Sequence, residues 1–264
     1  MTYKTLRYEK IERVGILTFD TPERLNAISE LRLTEIEAVL TGAEHDAELG
    51  AFILTGGEGK AFCVGLDLDL LDRAFNDMDY FEQVVRRVNG IITRLEALPI
   101  PTIAAVNGIT RAGGFEFTMG CDFVLVADDA KYGDVHTDSG VLPAAASLRL
   151  KRRVGEQRAK EMIWTARWYI GAEAVEAGLA LRSFPRATLR AEAIAFARTL
   201  TNKPRAVIAA NKGVFQAGAD AGLADGAELE LRHFMRYMRN EPWGKEGYTA
   251  FREGRVPSWK SAEA

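Results

Sequence analysis

Short apolar runs alternate along this chain with longer segments in which apolar residues recur every three or four positions. Runs of this kind are typical of buried strands, and they occupy residues 14–20, 51–57, 101–108, 123–129 and 179–185. Residues 29–45, which begin with a serine cap, and residues 78–98, which end just before Pro99, have helical spacing. Strands that alternate with helices predict an α/β fold.

The strand pattern stops at about residue 188, and only helical patterns follow it. We therefore predict two parts, an α/β core at residues 1–195 and a C-terminal helical region at residues 196–264. The second part has more large apolar side chains than a short helical bundle can bury by itself, so they are expected to pack on the core or on a neighbouring subunit. These side chains are Phe234, Met235, Tyr237, Met238, Trp243, Tyr248, Phe251 and Trp259.

The composition is that of an ordinary globular protein, with 264 residues of which 47% are apolar and 27% are charged. A net charge of −3 argues against nucleic acid or an anionic membrane surface as a partner. The basic segment 148–155 is interpreted as a solvent-exposed helix face. The first residues form no apolar leader, and no run approaches the roughly 18 apolar residues of a membrane span. These features predict a cytoplasmic protein.

Metal and disulfide chemistry find little support in the sequence. Cys63 and Cys121 lie in apolar surroundings without the spacing of a zinc site, which predicts reduced, buried side chains. The chain has only three histidines, too few for a histidine-rich metal centre. We predict that no metal is bound.

Two strands lead into turns that contain glycine, "KAFCVGLDL" at 60–68 and "RAGGFEF" at 111–117. Glycine lets another group approach the main chain closely, and the first N–H groups of a helix are unpaired and carry partial positive charge. If both turns face one pocket, their N–H groups can bind a developing oxyanion, where one donor is worth about 3–4 kcal/mol. The simpler alternative is two tight connections, with Glu116 stabilised only by the helix dipole.

Five segments together resemble the crotonase superfamily of enoyl-CoA hydratases and isomerases. They occur in the family's order and span nearly the whole chain, and they are residues 21–28, 59–68, 101–133, 165–180 and 246–259. The resemblance implies a crotonase-like spiral of ββα units with a C-terminal helical region that serves trimerisation and covers the active site. It also implies a homotrimer or a dimer of trimers.

The same resemblance implies an acyl-CoA thioester as substrate, so that CoA is part of the substrate and no separate cofactor is needed. The thioester oxygen would lie between the backbone N–H groups of Leu66 and Gly113. Glu116, about one helical turn further on, would act as the acid or base near the α and β carbons.

Further substrate contacts follow from the family pattern. Residues 66–78 would form a wall of the acyl pocket, although Leu68, Leu71 and Phe75 could instead pack in the core. The loop at residues 24–25 would lie along the CoA part, where an arginine can contact a phosphate or remain an ordinary surface residue. The substrate-binding residues implied are Arg24, Leu25, Val64, Asp67, Leu68 and Gly114.

The chain departs from the family pattern where hydratases have a second glutamate, twenty residues after the first. His136 occupies that position. An imidazole titrates near neutral pH and can replace the second acid as a proton donor or base, although it could also merely fill the space. Asp138 is a candidate partner that orients the ring or reaches the pocket itself.

Two smaller departures concern the pocket and the CoA site. The family's glycine-rich turn is "PAAAS" at 143–147 in this chain, and the added methyl groups predict a narrower or reshaped pocket floor. Ala144 stands where some isomerases have an aspartate, which argues against a dienoyl-CoA isomerase. Gly254 replaces a usual lysine and puts one CoA-phosphate contact in doubt.

We predict an enoyl-CoA hydratase or isomerase, a lyase of fatty acid metabolism. One alternative is a C–C bond hydrolase of β-dicarbonyl compounds, because some superfamily members use histidine for that chemistry. The other is a catalytically weak paralogue that binds CoA or serves assembly. The sequence leaves open the acyl chain and the choice between hydration and double-bond migration.

Overall fold

The chain builds two sheets from pairs of consecutive strands. The computed structural model describes residues 2–259. Its strands are β1 (Leu6–Ile11), β2 (Val14–Phe19), β3 (Ala51–Thr55), β4 (Ala61–Cys63), β5 (Thr102–Val106), β6 (Ile109–Thr110), β7 (Phe123–Ala127), β8 (Lys131–Tyr132), β9 (Tyr169–Ile170) and β10 (Arg182–Phe184). Its α-helices are α1 (Glu30–His45), α2 (Leu68–Asn76), α3 (Met78–Ala97), α4 (Gly113–Met119), α5 (Ser147–Val154), α6 (Glu156–Thr165), α7 (Gly171–Glu176), α8 (Arg186–Thr201), α9 (Arg205–Ala217), α10 (Leu223–Asn240) and α11 (Trp243–Glu253).

The larger sheet has six strands in the order β1-β2-β3-β5-β7-β10, and the smaller has four in the order β4-β6-β8-β9. Three successive pairs, β3 with β4, β5 with β6, and β7 with β8, each give one strand to each sheet. The strands β2, β3, β5, β7 and β10 are parallel neighbours. Because each repeat runs from the large sheet to the small one, the small sheet gathers the ends of successive repeats in one place.

The central strands are mostly apolar because they lie in the interior, where helices cover the large sheet. Every residue of β2, β3 and β5 is buried, as expected of parallel strands covered on both faces. One such helix is α8, which packs across β2, β3, β5, β7 and β10. Burial of these runs is the main source of stability of the core.

The α/β prediction is confirmed, and the five apolar runs correspond to β2, β3, β5, β7 and β10. The helix predicted at 29–45 is α1, and Ser29 caps it by accepting a hydrogen bond from the Arg32 N–H. The basic segment 148–155 coincides with α5, of which only Leu150 is buried. Both cysteines are free and buried.

The strand β1 was not expected from the sequence. It pairs antiparallel with β2 at the edge of the large sheet. Only Leu6 of this strand is fully buried, so the segment lacks the continuous apolar run that identified its neighbours. An edge strand with one face towards solvent needs few apolar side chains.

The division of the chain at residue 195 stays a prediction. That boundary falls inside α8, which is part of the sheet packing, so a boundary after Thr201 fits the elements better. The helices that follow contact the core through α9, where the Lys212 ammonium donates to the Asp122 carboxylate (2.8 Å) and to the Ile100 carbonyl (3.1 Å).

Large apolar side chains of the last three helices remain exposed in the single chain. Phe251 is 85% exposed, Phe215 76% and Tyr248 62%. The expected core packing therefore does not account for these residues. Trp243 and Trp259 contact each other edge to face, with ring centroids 6.4 Å apart.

Within residues 2–259, no helix combines the length and the apolarity that a membrane crossing requires.

Candidate active site

Two corners of the chain meet where the small sheet gives way to helices. The first runs from the end of β4 through Gly65 and Leu66 to Asp67, whose side chain caps α2 by accepting from the Asp69 N–H (3.0 Å). The second runs from the end of β6 through residues 111–114 into α4. Both corners follow neighbouring strands of one sheet, because β4 and β6 are paired.

The second corner is a tight turn with an unusual residue in it. Ala112 has φ 48° and ψ −127°, and the Gly114 N–H donates to the Arg111 carbonyl (2.9 Å). This geometry is a type II′ turn, whose first central residue is usually glycine. A non-glycine residue in this conformation costs about 1–3 kcal/mol, which packing around α4 must offset.

The two corners touch through backbone atoms. A Cβ placed on Gly65 would lie 2.9 Å from the Ala112 Cβ and 3.2 Å from the Gly113 nitrogen. Gly65 also has φ +95°, in the left-handed region that favours glycine. A side chain at this position would push the two corners apart.

The geometry of the first corner directs the Leu66 N–H away from the neighbouring segment of the same chain, at Ile28. The Ile28 N–H donates to the Gly65 carbonyl (2.8 Å), and the Asp67 N–H donates to the Ile28 carbonyl (2.9 Å). Because alternate residues of an extended chain face opposite sides, the N–H of Leu66 faces the other way. Among the hydrogen bonds of residues 2–259, neither this N–H nor that of Gly113 has a protein acceptor.

Both unpaired N–H groups border one cavity, which has a volume of about 1260 Å³. Leu66, Gly113, Glu116 and His136 are all part of its lining. One wall is apolar and comes mainly from α2 and α3, with further residues from the segment before α5. This wall consists of Leu68, Leu71, Phe75, Phe81, Val85, Val88, Val141, Leu142 and Ala144.

Glu116 lies in the first turn of α4 and is only 4% exposed. Its Oε1 accepts a hydrogen bond from the Ala145 N–H (2.7 Å), which fixes the carboxylate against the floor of the cavity. Burial raises the pKa of Glu116 above its ordinary value of 4.5, and the charge of His136 and the Ala145 N–H only partly offset that effect.

The ring of His136 is held by a residue that the sequence interpretation missed. Its Nδ1 lies 3.0 Å and 3.1 Å from the two carboxylate oxygens of Asp134, and its backbone N–H donates to Oδ1 of the same side chain (3.1 Å). The expectation that Asp138 orients the ring is wrong, since Asp138 is exposed and Asp134 holds Nδ1. The sequence feature that could have revealed Asp134 is the spacing Asp-x-His, because an aspartate side chain often accepts a hydrogen bond from the backbone N–H two residues further on.

Burial by itself lowers the pKa of His136. The hydrogen bond that the ring donates to Asp134 and the charges of Asp134 and Glu116 outweigh that effect, so the pKa of His136 is raised above its ordinary value of 6.5. The backbone between the two residues is strained, because Val135 is buried and has φ +58°. A positive φ is a genuine outlier for a β-branched residue, and such outliers concentrate at functional sites.

The remaining predicted site residues divide into those that border the cavity and one that does not. Leu25 and Val64 border it, and so do Asp67 and Leu68. Leu68 is 77% exposed and Phe75 58%, so α2 presents these residues to the cavity instead of packing them in the core.

Gly114 is the predicted site residue outside the cavity lining, and a Cβ there would lie only 2.0 Å from the Cys63 carbonyl oxygen. Gly114 thus allows α4 to approach β4.

Arg24 borders the cavity but is paired within the protein. Its guanidinium donates to Asp67 (2.7 Å) and to Asp69 (3.2 Å). The expected contact with a phosphate would therefore compete with two carboxylates. The contact with Asp69 is exposed on both sides and therefore weak, whereas the Asp67 side chain is only 8% exposed.

Comparison with known proteins agrees with this architecture. Residues 9–262 match the profile of the family described as Enoyl-CoA hydratase/isomerase. The chain is 35% identical over 264 residues to the probable enoyl-CoA hydratase echA8 of Mycobacterium bovis, which covers 98% of this chain and 99% of that protein. It is 32% identical to the mitochondrial enoyl-CoA hydratase of Pongo abelii, over 95% of this chain and 85% of the relative.

Solved structures give the same result. The enoyl-CoA hydratase from Bacillus anthracis superposes with a TM-score of 0.91 at 30% identity, covering 97% of this chain and 99% of that one. The fold is therefore the crotonase fold expected from the sequence. The chain belongs to the enoyl-CoA hydratase/isomerase family, and the prediction of an enzyme of this type is confirmed.

The contact between the corners predicts a difference between two glycine substitutions. Gly65→Ala should lower the free energy of unfolding by about 2–5 kcal/mol, because it combines a left-handed backbone with overpacking. Gly178→Ala is the matched control, since Gly178 has φ +76° but the nearest atom to an added Cβ is 3.9 Å away. It should cost about 1–2 kcal/mol. Urea unfolding measures both values, and equal losses would contradict the contact.

Proposed function

We propose that this protein adds water across the double bond of a 2-enoyl-CoA thioester and removes it in the reverse direction. The observation that carries the proposal is the meeting of two unpaired main-chain N–H groups, those of Leu66 and Gly113, at a cavity that also contains the Glu116 carboxylate. Attack on the β carbon of an enoyl thioester produces an enolate, so its negative charge develops on the thioester oxygen. Two fixed donors are what that oxygen needs.

The preformed donors favour the transition state over the bound substrate. A carbonyl oxygen carries little charge before attack and nearly a full charge in the enolate, so the same two hydrogen bonds become stronger as the reaction proceeds. Because both donors are backbone groups that already border the cavity without a protein acceptor, little reorganisation is needed at that moment. Each donor is expected to contribute about 3–4 kcal/mol.

The two side chains at the cavity divide the proton transfers between them. The Glu116 carboxylate takes a proton from water as the oxygen forms a bond to the β carbon, and the π electrons move to the enolate oxygen. The imidazolium of His136 then donates a proton to the α carbon as the enolate collapses to the thioester. One molecule of water is consumed, and the proton held by Glu116 restores that of His136.

The substrate is proposed to lie with its CoA part along Arg24, Leu25 and Val64 and its acyl part against the apolar wall from α2 and α3. The support is the position of both groups of residues around one cavity. A volume of about 1260 Å³ exceeds the 300–1,000 Å³ common for small-ligand pockets. The site therefore has room for the pantetheine arm together with an acyl group.

Hydrolysis of a C–C bond in a β-dicarbonyl compound is the second candidate. Two observations favour it: the pairing of Arg24 with Asp67 and Asp69, and the pairing of His136 with Asp134. The first weakens one expected CoA contact, and the second is a carboxylate–imidazole pair that can activate water for attack on a carbonyl when the ring is neutral. Both reactions would use the same pair of main-chain donors.

The assembly proposed with this function is a homotrimer or a dimer of trimers. Its support is the exposed apolar surface of α9, α10 and α11, which includes Phe215, Phe234 and Phe251. Exposed apolar surface of this extent is typical of an oligomer interface.

A product screen in isotopically labelled water tests the proposed reaction. The protein is incubated with enoyl-CoA thioesters of short, medium and ring-bearing acyl groups, and separately with free β-diketones. We expect labelled oxygen at the β carbon of a 3-hydroxyacyl-CoA. Cleavage of the diketones alone would support the second candidate, and tight thioester binding without any conversion would favour a non-catalytic CoA-binding protein.

Substitution Glu116→Gln should reduce kcat by about 10²–10⁴-fold, because it removes the base but keeps the shape of the side chain. The amide oxygen can still accept from the Ala145 N–H, so the fold and the affinity for a saturated acyl-CoA should change little. Steady-state kinetics and calorimetric binding measure the two effects. A variant with full activity would exclude Glu116 from the mechanism.

The rate should depend on pH in a bell-shaped manner. Glu116 must be ionised, so kcat should fall on acidification through the pKa of Glu116. That pKa is raised above the ordinary glutamate value of 4.5. His136 must be protonated, so kcat should fall again as pH rises through its pKa, which is above 6.5. In His136→Gln the basic limb should disappear. Persistence of that limb in the variant would assign it to another group.

A further inference from the structure

We propose that Asp134 is a positioning residue, which fixes the tautomer of His136 and keeps its ring protonated so that Nε2–H points into the cavity. This inference rests on the proposed function, in which His136 donates a proton. The sequence analysis did not predict Asp134 as a site residue. Its role follows from its contacts.

Both oxygens of the Asp134 carboxylate are committed to His136. They lie 3.0 Å and 3.1 Å from Nδ1, and Oδ1 also accepts the backbone N–H of His136 (3.1 Å). A carboxylate can only accept, so Nδ1 must carry a hydrogen. Within residues 2–259, Nε2 has no hydrogen-bond partner, and this nitrogen is the one left for a substrate in the cavity that His136 borders.

Burial makes the pair an electrostatic unit. The side chain of Asp134 is completely buried and that of His136 is 14% exposed. A buried carboxylate without a positive partner is unfavourable, so the imidazolium form of the ring stabilises Asp134 as much as Asp134 stabilises it. The exposed Asp138 cannot form such a unit.

Three charged groups face the ring, and they oppose one another. Asp134 and Glu116 favour the protonated form, and Arg111, at the turn before α4, disfavours it. Glu116 changes its own charge during the reaction in the proposed mechanism. Asp134 takes no part in the proposed proton transfers, so its contact with the ring persists once Glu116 has taken its proton.

The backbone ties this pair to the oxyanion corner. The carbonyl of Asp134 accepts the Ala112 N–H (2.8 Å), and Ala112 directly precedes Gly113. The buried, left-handed Val135 sets the angle between Asp134 and His136. The proton donor and the main-chain donors are thereby held by one continuous network.

The experiment compares Asp134→Asn with Asp138→Asn, its exposed neighbour and matched control. The chain of 264 residues contains only three histidines, so nitrogen-15 NMR can follow each ring through a pH titration. We expect D134N to lower the pKa of His136 by about 1–3 units and to leave His45 and His233 unchanged. D138N should change none of the three. Unchanged titration of His136 in D134N would overturn the proposal.

Kinetics then separate positioning from a general structural role. At pH 8, D134N should reduce kcat of enoyl-CoA hydration by about 10–100-fold, with partial recovery at lower pH as the ring is protonated again. In a His136→Gln background, the same substitution should change kcat less than about twofold. An equal loss in both backgrounds would overturn the proposal, because Asp134 would then act without His136.

Two further results guard the interpretation. Asp134→Ser keeps an acceptor for the His136 N–H without the charge, and it should show the same pKa shift if D134N proves too unstable to study. If the NMR shift occurs but neither D134N nor H136Q alters turnover, Asp134 still controls the ring. That result supports the positioning and contradicts the part of His136 in the proposed function.

Discussion

The structure depends on the close contact between two backbone corners, one at Gly65 and the other at residues 112–113. No side chain fits between them, since a Cβ on Gly65 would lie 2.9 Å from that of Ala112. The contact brings the first turns of α2 and α4 to one place, so that unpaired N–H groups of two separate repeats border the same cavity. The ββα repeat makes this possible because β4 and β6 are neighbours in the small sheet.

The pKa values of Glu116 and His136 depend on the surroundings of these side chains near the contact. Glu116 lies three residues beyond Gly113 and is almost completely buried, so its pKa is raised. Burial alone would lower the pKa of His136, but the buried carboxylate of Asp134, which holds Nδ1, and the charge of Glu116 raise it. The pKa of each group is thus raised, so Glu116 takes up a proton more readily than an ordinary glutamate, and His136 holds its proton more firmly than an ordinary histidine. Both shifts suit a reaction in which one group takes a proton and the other donates one.

The sequence predicted the central strands of the large sheet well because β2, β3 and β5 are mostly apolar and buried along their whole length. It did not predict β1, which is largely polar, or the small sheet, whose strands have two or three residues each. Glu116 and His136 were found because they stand at family positions. Asp134 was missed because the Asp-x-His spacing indicates only the contact with the His136 backbone N–H, whereas the contact with Nδ1 also depends on a left-handed Val135. The pairing of Arg24 with Asp67 depends on a loop and a helix start 43 residues apart.

The most direct test of the account is a crystal structure of the Glu116→Gln variant with a saturated acyl-CoA thioester. The account predicts that the thioester oxygen lies about 2.7–3.1 Å from both the Leu66 and the Gly113 nitrogen, with the α carbon between residue 116 and the ring of His136. A thioester oxygen that reaches neither nitrogen, or an acyl group bound in a different cavity, would contradict it.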